Sequence, residues 1–276
     1  MADQDVRLFR FAAFDALDGL VHGVSQRHGG ASSAPWASLN LGGSVGDAPD
    51  AVRENHERLC AALDVSRAAL VSSRLVHGSD VAVVGAEQRG ALVPHTDALV
   101  TADPGVYLLV RCADCVPVLM VDPLRRVVGA AHAGWRGTLA FVAQKMARTM
   151  ADVFGSNPAD LRVGIGPSIG PCCYEVREDV VAATRTAFGD GAETLLHRAG
   201  GRTTLDLWEA NRQQLAALGV EHVAVAGVCT ACHVRDYYSH RAEGGRTGRF
   251  AAVIGFREAS GGGACSDHAH LATRTP

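Results

Sequence analysis

The 276-residue chain has a single lysine, Lys145. Its other basic residues are arginines, so chemistry that needs a lysine amine is confined to one position. Long apolar runs are also missing. The longest, such as Val116–Val121, fall far short of a membrane span. No charge of one sign dominates: 26 basic and 29 acidic residues leave a net charge of −3. Without such a field, neither nucleic acid nor an anionic membrane is expected as a partner. The opening residues, Met1-Ala-Asp-Gln-Asp5, are acidic and lack a secretory-signal pattern, which gives the expectation of a cytoplasmic protein. There is no internal repeat and no long linker. Dinucleotide-binding and Walker fingerprints are absent too. Gly164–Gly170 follows a strand, but its glycine spacing is wrong and no Lys-Ser/Thr follows. That run reads as tight turns or as a backbone wall against a ligand.

What is present is ordinary for a globular enzyme. Apolar residues make up 47% and charged residues 20%. The length suffices to bury one core. The pattern predicts a helix over 50–63, capped by Asp50. Strands are predicted at 70–72, 81–84, 98–101, 106–110, 116–121 and 127–131. A helix over 134–154 follows, with Leu139, Val142, Met146, Met150 and Val153 on one face. A strand at 161–165, helices over 177–188 and 205–218, and strands at 222–228 and 250–256 complete the reading. Many short strands with few helices between them point to α+β layers rather than a regular βαβ array. We expect a single domain over 1–257 and a loose tail over 258–276.

Eight cysteines are more plausible as buried hydrophobes, metal ligands or catalytic thiols than as disulfides in a reducing compartment. Cys115 precedes one buried strand and His132 ends the next. His77 lies in another strand-flanked loop. Two imidazoles and one thiolate suit zinc or copper, and three protein ligands leave a fourth position open. The same residues could instead form a cysteine nucleophile with a histidine base. Two Cys-x-x-Cys pairs, Cys112/Cys115 and Cys229/Cys232, lie too far apart for a zinc ribbon, whose pairs are spaced by roughly 15–20 residues. Cys172-Cys173 is expected to pack inside a turn. Arginine is the available anion anchor, with Arg53, Arg136, Arg241 and Arg249 near turns or helix starts. Ser38-Leu-Asn40-Leu41 offers hydroxyl and amide groups to a polar ligand.

These segments together resemble the YfiH-like family, also called laccase-domain or polyphenol oxidoreductase proteins, whose bacterial members are described as purine nucleoside phosphorylases. The resemblance runs from about residue 20 to 257. It rests on His28-Gly-Gly30, Ser38-Leu-Asn-Leu41, Val76-His-Gly-Ser-Asp80, Asp97-Ala-Leu-Val-Thr101, Ala113-Asp-Cys-Val-Pro117 and Ala131-His-Ala-Gly-Trp-Arg-Gly137. It continues through Gly164–Val176, Cys229-Thr230, Ser239-His-Arg241 and Gly248-Arg249. The resemblance implies a layered α-β-β-α sandwich with mixed sheets, as in certain cysteine hydrolases. It implies zinc, with copper as the alternative, on His77, Cys115 and His132, the same three residues being catalytic. It implies phosphorolysis of adenosine, inosine and methylthioadenosine, with adenosine deaminase activity. Nucleoside and phosphate are the expected partners, Ser38, Asn40, Arg53 and Arg136 the expected substrate-binding residues, and a monomer or small homo-oligomer the expected state. Rival expectations are a peptidoglycan-editing hydrolase removing L-serine from UDP-MurNAc-L-Ser, a copper polyphenol oxidase, and a non-catalytic metal-stabilised binding module.

Overall fold

In the computed structural model, which describes residues 5–258, two six-stranded mixed sheets lie face to face. The first runs, in spatial order, Leu8–Phe9, Leu20–Ser25, Phe250–Phe256, Tyr107–Cys112, Leu70–Ser73 and Leu92–Val93. The second runs His222–Val225, Arg162–Ile165, Val116–Asp122, Val127–Ala133, Ala98–Thr101 and Val81–Val83. The central strands read as continuous apolar runs because both their faces are covered.

Three apolar layers result. Leu119, Val121, Val128 and Ala130 of the second sheet meet Val24, Leu108, Ala252 and Ile254 of the first. On the far side of the first sheet, Leu59 and Leu63 of helix Pro49–Leu63 cover Leu109 and Val253. On the far side of the second, Met146 and Met150 of helix Val142–Phe154 and Ala210 of helix Leu207–Ala216 cover Val118, Met120 and Val163. Each buried methionine there contributes about 1.5–3 kcal/mol. The order is helix, sheet, sheet, helix. No described helix is long and apolar enough to cross a membrane.

Some local expectations change. Asp50 does not cap its helix: Ala48 holds the cap position without a side-chain bond, Pro49 opens the helix, and Asp50 sits in the first turn. The helix expected over 134–154 divides into Trp135–Leu139 and Val142–Phe154, broken at Phe141 with φ 64°. Two close approaches pin the two pieces separately. A Cβ on Gly137 would lie 2.7 Å from the Gly78 carbonyl oxygen, and one on Gly129 would lie 2.8 Å from Met146 Sδ. The start of the segment expected as helix over 205–218 instead ends a hairpin, Leu196–Ala199 with Arg202–Leu205, and Asp206 then caps the helix through Glu209 N. Apart from Glu258, the expected tail lies outside the described residues.

The register of the second sheet positions the site. Val116 pairs with Ala133 and Pro117 with His132, so Cys115 and His132 share one end of an antiparallel pair. Ala98 pairs with Ala131, which sets Asp97 beside His132. Val81 pairs in parallel with Ala98, so the loop leading into Val81 delivers His77 to the same end.

Candidate functional site

His77, Cys115 and His132 converge, with one ligand atom of each within 4.8 Å of the others. The two imidazole rings stand 4.9 Å apart, edge to face. Gly134 makes this possible: a Cβ there would sit 3.0 Å from Cys115 Sγ and 3.3 Å from His77 Cδ2. Glycine at that position is therefore a demand of the site itself.

Behind the set lies Asp97, fully buried. Its carboxylate accepts from the backbone N–H of Val76 (3.1 Å), His77 (3.0 Å) and Gly78 (2.8 Å). Three successive amides around one anion form a nest, and they hold His77 at φ 58°. The same carboxylate lies 3.0 Å from His132 Nδ1. This bond fixes the imidazole tautomer and leaves Nε2 for Cys115 or a metal, the usual carboxylate–histidine arrangement behind a metal ligand. Burial would raise the Asp97 carboxyl, but the bonds from His132 and the Gly78 amide outweigh it and hold it below the ordinary range.

Cys115 and His132 are strongly coupled. Burial alone would raise the Cys115 thiol, yet the charge and hydrogen bond of His132 and the hydrogen bond from His77 carry it down to about 6. Burial would lower His132, but the Cys115 thiolate and Asp97 carry it up to about 9. The protein scaffold thus favours a thiolate, the form that binds metal or acts as a nucleophile. The donor set fits zinc or copper, and Asp97 supplies the outer carboxylate such a site uses.

The three residues line a cavity of about 850 Å³. Arg74, Arg111, Arg136, Arg241 and Arg249 also line it, and none of them forms an ion pair among the described residues. Trp135 and Tyr174 add aromatic walls, with the Arg136 guanidinium 4.2 Å from the Trp135 ring and that of Arg241 5.3 Å from Tyr174. Asp114, just before Cys115, has φ 83°. Its two carboxylate oxygens accept from Thr230 Oγ1 (2.7 Å) and from Arg241 N (2.6 Å). It ties the Arg241 loop to the cysteine turn.

Of the four residues expected to bind substrate, Arg136 lines the cavity and three do not. Arg53 lies on the exposed face of its helix, 58% exposed and 2.9 Å from Asp50. Its place near a helix start is a solvent-facing one. Ser38 accepts from Gly30 N and donates to the Arg27 carbonyl. Asn40 is fully buried, and its Oδ1 accepts from Gly42 N (3.0 Å) and Arg249 N (2.8 Å). It shapes the loop that lines the cavity and fixes the backbone of Arg249. Sequence reasoning missed the role of Asp97 and the arginines Arg74 and Arg111. Arg74 follows strand Leu70–Ser73 and Arg111 lies near the end of its parallel neighbour Tyr107–Cys112, and for Arg111 an apolar run ending in arginine was the available signal.

The cysteine pairs also depart from expectation. Cys112 is buried and belongs to the core between the sheets. Cys172 is not packed inside its turn but exposed, and it gathers with Cys173, Cys229 and Cys232.

Comparison with known proteins places this arrangement. Residues 21–257 match the family described as multi-copper polyphenol oxidoreductase laccase. A Geobacillus stearothermophilus protein named purine nucleoside phosphorylase YlmD is 41% identical over 250 residues, covering 87% of this chain and 91% of the relative. A purine nucleoside phosphorylase from Deinococcus radiodurans is 43% identical over 240 residues, covering 87% and 90%. The crystal structure of YlmD from Geobacillus stearothermophilus superimposes with a TM-score of 0.87 at 39% identity, covering 93% of this chain and 99% of that one.

Proposed function

The chain belongs to the multi-copper polyphenol oxidoreductase laccase family, and from that premise we propose that it is a metal-dependent purine nucleoside phosphorylase. Its relatives named for that activity support the reading. The observation that carries it is the placing around the His77–Cys115–His132 set of five arginines that have no carboxylate partner among the described residues. Such a cavity is built to take a multiply charged anion beside a metal-ligand set.

In phosphorolysis a phosphate oxygen bonds to C1′ of the ribose as the C1′–N9 bond breaks. The electron pair passes to the purine, which takes up a proton, and ribose 1-phosphate results. Arg111 and Arg249 both line the cavity, and they hold the phosphate. Their fixed charges are aimed before the reaction begins, so no reorganisation is needed as charge shifts. Trp135 and Tyr174 offer faces to the purine. His77, Cys115 and His132 would hold the metal, which when bound supplies a positive charge at the cavity floor to polarise the reacting group. We assign zinc, because a two-histidine, one-thiolate set with an open position suits it. The two clusters found among the described residues hold two histidines in all, which fits several coppers and phenol oxidation poorly. Adenosine, inosine and methylthioadenosine are the proposed substrates. Deamination of adenosine at the same site would add water at C6 and release ammonia.

One further reading has its own observation. Cys115, His132 and Asp97 stand in line as nucleophile, base and orienting carboxylate. That arrangement suits amide hydrolysis, with L-serine release from UDP-MurNAc-L-Ser as the reaction. The deciding experiment incubates the purified chain with each nucleoside over a phosphate titration and quantifies the sugar 1-phosphate (ribose 1-phosphate, or 5-methylthioribose 1-phosphate from methylthioadenosine), beside a serine-release assay. Saturable, phosphate-dependent sugar 1-phosphate supports phosphorolysis. Serine release without it replaces phosphorolysis by the amidase reading.

A further inference from the structure

A second set of soft ligands lies outside the cavity. Strands Arg162–Ile165 and His222–Val225 run parallel in register, so the turns after them leave the sheet at the same end. Pairing continues past the strands: Ser168 bridges Cys229, Ser168 N donates to the Val228 carbonyl and Thr230 N to the Ser168 carbonyl. This brings Cys172-Cys173 of one turn onto Cys229-Thr-Ala-Cys232 of the other. One sulfur of each of the four lies within 4.8 Å of the others. The Cys172–Cys232 sulfurs are 3.6 Å apart and the Cys173–Cys232 sulfurs 3.4 Å. Four sulfurs about 2.3 Å from a tetrahedral zinc ion would be roughly 3.8 Å from one another. Cys229 Sγ also accepts from Gly170 N at 3.2 Å, an outer hydrogen bond of the kind that orients a metal-bound thiolate.

We propose that Cys172, Cys173, Cys229 and Cys232 hold a structural zinc ion in a closed tetrathiolate site. Binding exchanges S–H bonds for metal–sulfur bonds and releases the protons to solvent, with no oxidant or reductant required. The ion joins two turns that build the cavity wall. Tyr174, next to Cys173, lines the cavity, and Thr230, next to Cys229, donates to Asp114 beside Cys115. Among the described residues no disulfide ties these turns together.

The test uses the full chain, stripped of metal by a chelator under anaerobic, reducing conditions and titrated with cobalt(II). The wild type should take up two equivalents, one for each cluster. Its sulfur-to-cobalt charge-transfer absorption should be dominated by the tetrathiolate site. Cys115→Ala should lose one equivalent and keep most of that band, whereas Cys232→Ser should lose most of the band. Cys232 is exposed, so its replacement spares the core, and the wild-type titration needs no variant at all. A wild type that binds one equivalent, abolished by Cys115→Ala, overturns the proposal. So does thiol counting that finds these cysteines joined in a disulfide after anaerobic purification. Neither result bears on whether the cavity carries out phosphorolysis.

Discussion

Among the described residues the molecule holds two clusters of soft ligands, and they differ in what surrounds them. His77, Cys115 and His132 open into a cavity walled by arginines that form no ion pair among the described residues, with the Asp97 carboxylate behind. Cys172, Cys173, Cys229 and Cys232 join two turns and line neither that cavity nor its arginine wall. Three protein ligands leave a position for a reacting group, whereas four close the metal's coordination. The difference separates a site that can do chemistry from one that can only hold structure.

The sharpest way to break this comparison is at Cys115. Cys115→Ala should reduce phosphorolysis by about a hundredfold or more, the scale of losing a preorganised electrostatic element, while steady-state kinetics on the folded variant check it. Asp97→Asn is the next largest. It removes the anion that collects three loop amides and orients His132. Isothermal titration with zinc should show affinity at this site about 10–100-fold weaker, with the tetrathiolate site unchanged. Arg111→Ala should raise the phosphate KM roughly tenfold or more, since a charge-assisted hydrogen bond is worth about 1.5–3 kcal/mol. Arg53→Ala, on the exposed helix face, should leave the phosphate KM unchanged.

The smallest effect is also the most selective. In the metal-stripped chain, Cys115 is pulled down to about 6 by His132 and His77 against its burial. Cys172 is pushed up to about 11, first by burial and then by hydrogen bonds with Cys229 and Cys232. The thiolate is the nucleophile, so iodoacetamide should label Cys115 at pH 7 and spare the more exposed Cys172. Labelling of Cys115 should fall as pH drops through about 6 and its thiolate is protonated. Peptide mass spectrometry across pH 5–8 reads both rates, and equal labelling would remove the electrostatic contrast between Cys115 and Cys172.

The two clusters were not equally legible in the sequence. Cys115 and His132 stand at the ends of apolar strands and His77 beside a glycine in a strand-flanked loop, so the strand pattern exposed them. The tetrathiolate set depends on a parallel register between Arg162–Ile165 and His222–Val225, with a hairpin and two helices between them in the chain. Residue spacing carries no trace of that pairing. Asp97 was visible as part of a motif, but its role depends on a loop from elsewhere wrapping its carboxylate. Arg53 looked like an anion anchor because it begins a helix, and the face it occupies is set only by packing. For the fold, buried strands such as Val116–Asp122 were plain in their apolar runs. The break at Phe141 was not, because it answers two close contacts made at Gly137 and Gly129 by other segments.

The central claim is that the three-ligand site carries out phosphorolysis. Chromatographic analysis of adenosine incubated with the wild type, Cys115→Ala and Cys232→Ser, with and without phosphate, tests it most directly. The account predicts phosphate-dependent adenine from the wild type and from folded Cys232→Ser, and about a hundredfold less or lower still from Cys115→Ala. Full adenine release by Cys115→Ala, folded and lacking metal at that site, would contradict it.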